Sequence, residues 1–201
     1  MGLYELRWSR PGVPETERAE YLGLLSDAER ERYAAAGPTA DSFLAGRVLL
    51  RRLAAELTGA GPGEVLLEAS RCPQCGRAHG APRLPRSGFR LSLARCETAV
   101  VAVATLGRAI GVDVEPCRVD PQRDAAISEV AGVASLRHWT SVEAVLKADG
   151  RGLTIDPRLV RAGRRAARFD GTRYRLFEPK LAADLQVSVA LGPRAAAAAA
   201  P

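Results

Sequence analysis

Between Phe89 and Glu115 three short apolar runs follow one another: FRLSLA, AVVAVATL and AIGVDVE. They are rich in β-branched residues and too short for helices, so each predicts a strand. The middle of the chain is thereby committed to a sheet, and the flanking segments must cover it. On the N-terminal side LYELRW (Leu3 to Trp8) alternates like an edge strand. ETERAEYLGLLSDAERERYAAAG is helical in character, with Ser26 as an internal cap and Gly37-Pro38 as a stop. SFLAGRVLLRRLAAELTGAGPG carries Phe43, Leu44, Val48, Leu49, Leu53 and Leu57 at helical spacing, and EVLLEA is a further short strand candidate. On the C-terminal side SLRHWTSVEAVLKADG reads as a helix ending at Gly150. RFDGTRYRLFEP and DLQVSVALG read as further strands, with Asp170-Gly171 as a hairpin turn. Strand, helices, strands, helix, strands is an α+β order. It divides into an N-terminal lobe over 1–105, a C-terminal lobe over 106–194 and an Ala-rich tail over 195–201.

A chain of 201 residues suits one domain or two small lobes sharing a core. No apolar run approaches the ~18–20 residues of a membrane span. MGLYELRWSRPG has no apolar stretch of the secretory kind. The expectation is a soluble cytoplasmic protein with no membrane partner. The net charge is +6, and all but two of the 29 basic residues (Lys147 and Lys180) are arginine. Such a balance permits a phosphate- or carboxylate-rich partner. Aromatic residues are only 5%, and no basic helix interleaves with them, so no nucleic-acid partner is expected.

The sharpest chemistry lies in Gly111-Val112-Asp113-Val114-Glu115. On a strand, residues two apart share a face, so Asp113 and Glu115 point one way and Val112 and Val114 the other, to the core. Adjacent carboxylates repel unless a cation or a proton lies between them, and Pro116 ends the strand just beyond the pair. In Trp139-Thr140-Ser141-Val142-Glu143-Ala144-Val145-Leu146-Lys147, Glu143 and Lys147 share a helix face. A helix packed across the strand brings Glu143 to Asp113 and Glu115. Three hard oxygen ligands with open positions suit Mg²⁺, and Lys147 then faces the phosphate end of a ligand.

GVDVE followed about thirty residues later by WTSVEAVLKADGRGL resembles the signature of the 4′-phosphopantetheinyl transferases, G-x-D-x-E then W-[ST]-x-K-E-A-x-x-K-x-x-G-x-G-L. It is most similar to their larger, pseudo-dimeric (surfactin-synthetase-activating) type. FLAGRVLLRRLAAELTG, a G-x-P turn before RL, and a serine-bearing strand before the acidic one extend the likeness over residues 15–153. The resemblance implies two similar α/β lobes in a pseudo-twofold arrangement, with the site between them in a monomer. It implies Mg²⁺ on Asp113, Glu115, Glu143 and the pyrophosphate of coenzyme A. Glu143 is implied as the general base and Lys147 as the stabiliser of the leaving 3′,5′-ADP, and Ser92 as a phosphate contact. The acceptor is then a serine of an acyl or peptidyl carrier protein in polyketide, nonribosomal-peptide or fatty-acid synthesis.

The chain departs from that pattern at several phosphate contacts. The family's histidine falls on Leu93 and its following serine on Ala94. The lysine before Glu143 is Val142, the basic residue of the G-[KR]-P turn is Ala81, and the one ahead of FLAG is Ser42. Each loss removes a charge-assisted bond worth on the order of 1.5–3 kcal/mol. Arg47, Arg51, Arg90 and Arg95 are candidate replacements, because arginine binds phosphate bidentately. Arg90 shares a strand face with Ser92 and is the better placed, while Arg95 lies just beyond the strand. The alternative is a relative that binds a carrier protein or synthase without using coenzyme A.

Cys72, Cys75 and His79 form C-x₂-C-G-x₂-H, half of a zinc knuckle, with Cys96 as the remote fourth candidate. No second C-x₂-C pair accompanies it, so a plain turn is favoured over structural zinc. Cys96 and Cys117 read as small buried apolar residues. Trp139, one turn before Glu143, reads as packing its helix onto the strands.

Overall fold

A computed structural model describes residues 2–72, 75–77, 80–133 and 135–194. The first sheet holds β1 (Glu5–Ser9), β2 (Glu68–Ala69), β3 (Pro82–Arg83), β4 (Phe89–Arg95) and β5 (Val100–Leu106), in the order β1-β5-β4-β3-β2. The second holds β6 (Arg108–Pro116), β7 (Arg161–Ala162), β8 (Ala166–Phe169), β9 (Thr172–Phe177) and β10 (Leu185–Arg194), in the order β6-β10-β9-β8-β7. Every pairing is antiparallel. The two sheets share one wiring: the first strand pairs with the last, and the others follow in reverse order. Helices enter after the first strand of each. They are α1 (Glu15–Gly23), α2 (Asp27–Ala34) and α3 (Ala40–Thr58) after β1, and α4 (Pro121–Ala131) and α5 (Leu136–Asp149) after β6. At class level the α+β expectation is met. Gly107 alone separates β5 from β6 and takes φ 65°.

The layers follow from side-chain parity. Leu50, Leu53 and Ala54 of α3 pack on Leu91, Ala102 and Ala104, one face of the first sheet. Its other face, with Ala94, Val101 and Val103, meets Ile110, Val112, Val114, Val187, Val189 and Leu191 of the second. The far face of the second sheet, with Ala167, Tyr174, Leu176 and Ala190, packs on Val142, Val145 and Leu146 of α5. The stack is helix, sheet, sheet, helix. Val112 and Val114 therefore lie in the core between the sheets, and Asp113 and Glu115 face α5.

Several local signals act as read. Ser26 caps α2 in a full capping box with Glu29. Asp170 and Gly171 both have positive φ, 48° and 72°, as a two-residue type I′ hairpin turn requires. Gly37-Pro38 follows closely on the end of α2 at Ala34, as a stop should, and opens a single 3₁₀ turn, Gly37–Thr39, that runs straight into α3. Two readings are corrected. EVLLEA yields only Glu68–Ala69 as strand, because Val65 and Leu67 are drawn into the apolar layer under α3. Cys117 is exposed, since Pro116 ends β6 and carries the chain out of the core. No helix among the described residues is long and apolar enough to cross a membrane.

Candidate functional site

Gly111 sets how closely α5 approaches β6. A Cβ there would collide with the Ala144 carbonyl oxygen and lie 2.5 Å from the Ala148 amide nitrogen. Two and four residues on, Asp113 and Glu115 face the same helix. Glu143 and Lys147 descend from it one turn apart. Lys147 Nζ donates to Asp113 Oδ1 at 2.6 Å. Asp113 is 6% exposed, and its Oδ2 has no hydrogen-bond partner among the described residues. Beside them Ser188, opposite Asp113 in the ladder, bonds the Thr140 and Ser141 hydroxyls at 2.8 and 3.3 Å and ties α5 to β10. Trp139 is half-buried.

Burial is the main influence on every carboxylate here. It raises the Asp113 pKa although Lys147 opposes it. It lifts Glu115 to about 7, with the negative charge of Asp113 adding to the rise. It raises Glu143 against the pull of Lys147, Asp113 again adding. On Lys147 burial works the other way, but Asp113, Glu143 and Glu115 outweigh it, so the ammonium is held above its usual range. Three carboxylates thus share one ammonium. Among the described residues no three His, Cys, Asp or Glu groups stand at metal-ligating spacing. The expected triad is therefore a cluster around Lys147 and not a closed ligand set. Its chemistry still fits a hard cation: all donors are carboxylate oxygens, and the buried Asp113 Oδ2 lacks a partner.

A cleft of about 430 Å³ opens beside this cluster. Lys147 and the Gly150–Thr154 turn line it from the second half of the chain. Ser92, Leu93, Arg95 and helix residues Arg32, Phe43 and Arg47 line it from the first. Arg32 and Arg95 lie over the Phe43 ring at 5.2 and 5.7 Å. Burial, with the nearby Arg32 charge, holds the Arg95 guanidinium below its usual range. Arg47 is ion-paired with Glu29, yet its buried Nε has no hydrogen-bond partner among the described residues. Burial lowers its pKa more than Glu29 raises it. Arg151 brings a further guanidinium, bonded to Asp149 at 2.6 Å and Asp170 at 2.9 Å.

The expected phosphate contacts divide. Ser92 lines the cleft, and its Oγ accepts from the Val112 N–H at 3.2 Å, stitching β4 to β6. Arg47 reaches the cleft. Arg51 does not: it is 4% exposed and bonds Glu29 at 2.7 and 3.3 Å, because the capping box that starts α2 sets Glu29 over α3. Burial pushes Glu29 up, but Arg51 and Arg47 together bring it below its usual range. Arg90 shares the face of Ser92, as parity requires, but is exposed at the other end of β4. Arg95, the last residue of β4, is the one on the cleft. Leu93 and Ala81 also line it and donate no side-chain bond. Val142 is fully buried under α5, so a basic side chain there would enter the core. Ser42 bonds the Thr39 carbonyl and does not line the cleft. Arg32 was missed by sequence reading. The Ser26 cap fixes the phase of α2, which puts Glu29 and Arg32 at i and i+3 on one face. Cys72 lines the cleft and Cys75 is exposed, while His79 and residues 195–201 lie outside the described residues. Cys96 is half-buried against the core between the sheets.

Comparison with protein-family models and with curated protein sequences finds no match to this chain.

Proposed function

We propose that the chain is a 4′-phosphopantetheinyl transferase of the larger pseudo-dimeric type, a cytoplasmic monomer with that family's two similar lobes. It moves phosphopantetheine from coenzyme A to a serine of an acyl or peptidyl carrier protein, with Mg²⁺. One observation carries this reading: Lys147, which gathers three carboxylates, lines a cleft that Arg32, Arg47, Arg95 and Arg151 line as well. A ligand with both a bound cation and several phosphates answers both sides of that cleft.

Asp113, Glu115 and Glu143 would hold Mg²⁺, which when bound neutralises charge on the pyrophosphate. Glu143 takes the proton of the carrier serine, and burial, by raising its pKa, strengthens it as a base. The serine oxygen forms a bond to the phosphorus carrying the pantetheine arm. The bond from that phosphorus to the bridging oxygen breaks, and 3′,5′-ADP leaves with the electron pair. Lys147, kept cationic by its carboxylates, and the cleft arginines stabilise the phosphate charge.

Leu93 and Ala81 on the cleft favour a second reading, a relative that binds the carrier protein or synthase without coenzyme A. Calorimetric titration of coenzyme A with Mg²⁺, repeated in EDTA, separates the two. Metal-dependent binding near micromolar, about −8 kcal/mol, is expected for the enzyme. Asp113→Ala and Glu143→Gln should each abolish transfer in a folded protein. Absence of binding at millimolar coenzyme A would support the second reading.

A further inference from the structure

The second sheet is covered over only part of the face it turns to the first. Ile110, Leu191, Arg175 and Ala166 stand in one line across β6, β10, β9 and β8. The first two belong to the core between the sheets, and at β9 the line leaves that core with Arg175. Beyond it Arg161, Arg168 and Arg173 stand directly opposite one another across β7, β8 and β9, all exposed. Like charges facing each other in a ladder repel, at a strand spacing of about 4.8 Å. Arg175 continues the row along β9 and stacks over Phe177 at 5.2 Å. Of this row Arg173 and Arg175 line a groove of about 830 Å³, joined there by Arg108, Arg164 and Arg165, and its apolar lining includes Phe177, Leu191 and Pro193. Among the described residues none of these arginines pairs with a carboxylate. The acid on the groove, Glu178, is held by Arg137 at 2.5 Å.

We propose that this arginine face docks an acidic amphipathic helix of a partner protein, laid across β7, β8 and β9. Carboxylates at i, i+3 and i+4 of a helix are about 5–6 Å apart, close to the spacing of successive strands. One edge of such a helix meets the arginine row, and its apolar edge meets Pro193 at the rim of the groove. Bases of a nucleic acid find no open stacking platform here, because Phe177 is closed by Arg175 and by Tyr4, whose ring centroid is 5.4 Å away. The face shares no residue with the coenzyme A cleft, so the proposal holds or fails independently of the reading of that cleft.

The test is fluorescence anisotropy with a labelled helical peptide of about 20 residues, with Glu and Leu on adjoining faces. Salt-sensitive binding is expected, weakened about tenfold by the double variant Arg168→Thr, Arg173→Thr. Arg30→Thr, on an exposed residue of α2, should leave it unchanged. The double variant is relieved of cross-strand repulsion and should melt no lower than the parent, which separates lost docking from lost fold. Equal binding of a peptide with its glutamates scrambled around the helix overturns the proposal. So does full binding by the double variant, or displacement of the peptide by oligothymidine at lower concentration than by unlabelled peptide.

Discussion

Glu29 gathers two buried guanidiniums, Arg47 and Arg51, while Lys147 gathers three carboxylates, Asp113, Glu115 and Glu143. These clusters lie in the two halves of one wiring scheme, and each brings one member, Arg47 or Lys147, to the same cleft. The first is a base-rich set with a single acid, and the second an acid-rich set with a single base. They also differ in how they respond to strain. Carboxylates crowded together can take up protons, whereas arginine stays charged at any pH a folded protein survives. An unmatched charge is therefore permanent in the first half and relievable by acid in the second.

Removing the single acid should do the most harm. Glu29→Gln leaves two buried guanidiniums without a counter-ion and should cost about 3–5 kcal/mol, much the same at pH 5 and pH 8. Urea unfolding at the two pH values checks this, and a strong recovery at pH 5 would break the comparison. Lys147→Met should cost about 3 kcal/mol near pH 8 and less at pH 5, where Glu115, with its pKa lifted to about 7, is protonated and the crowding of charge is eased. Equal losses at both values would mean that the carboxylates do not depend on the ammonium.

Glu115 gives a smaller and sharper effect. Its folded pKa, about 7, lies above the unfolded value near 4.5. The neutral form is the one favoured by folding, so this contribution is fully present below about pH 4.5 and is lost as pH rises through 7. Allowing for its partial exposure, about 1–2 kcal/mol should disappear over that window in EDTA, and Glu115→Gln should flatten it. The smallest effect concerns Mg²⁺ itself. On the proposed reading it should raise Tm by a few degrees, and more at pH 8 than at pH 6, because its ligands must be ionised. Differential scanning calorimetry at the two pH values measures this, and a larger rise at pH 6 would oppose it.

The strands, α5 and the facing of Asp113 and Glu115 were legible because they depend on periodicity and local stop signals. Gly111 was legible as part of a motif, but its reason, the close crossing of α5, needed the helix in place. The arginines were not legible. Parity correctly put Arg90 and Ser92 on one face but could not say which end of β4 opens on the cleft. Arg51 is taken by Glu29 from another helix, 22 residues away, a contact that no local pattern encodes. The closure of the carboxylates on Lys147 was likewise hidden, since i and i+4 spacing in α5 does not reveal that the ammonium reaches across to Asp113.

The passage from the first sheet to the second is a single residue, Gly107. One residue spans at most about 3.6 Å, so the joint keeps the two sheets close, and the apolar core packed between them holds the halves against swinging apart like the covers of a book. Any gating of the cleft must come from its rim, where the Gly150–Thr154 turn leaves α5.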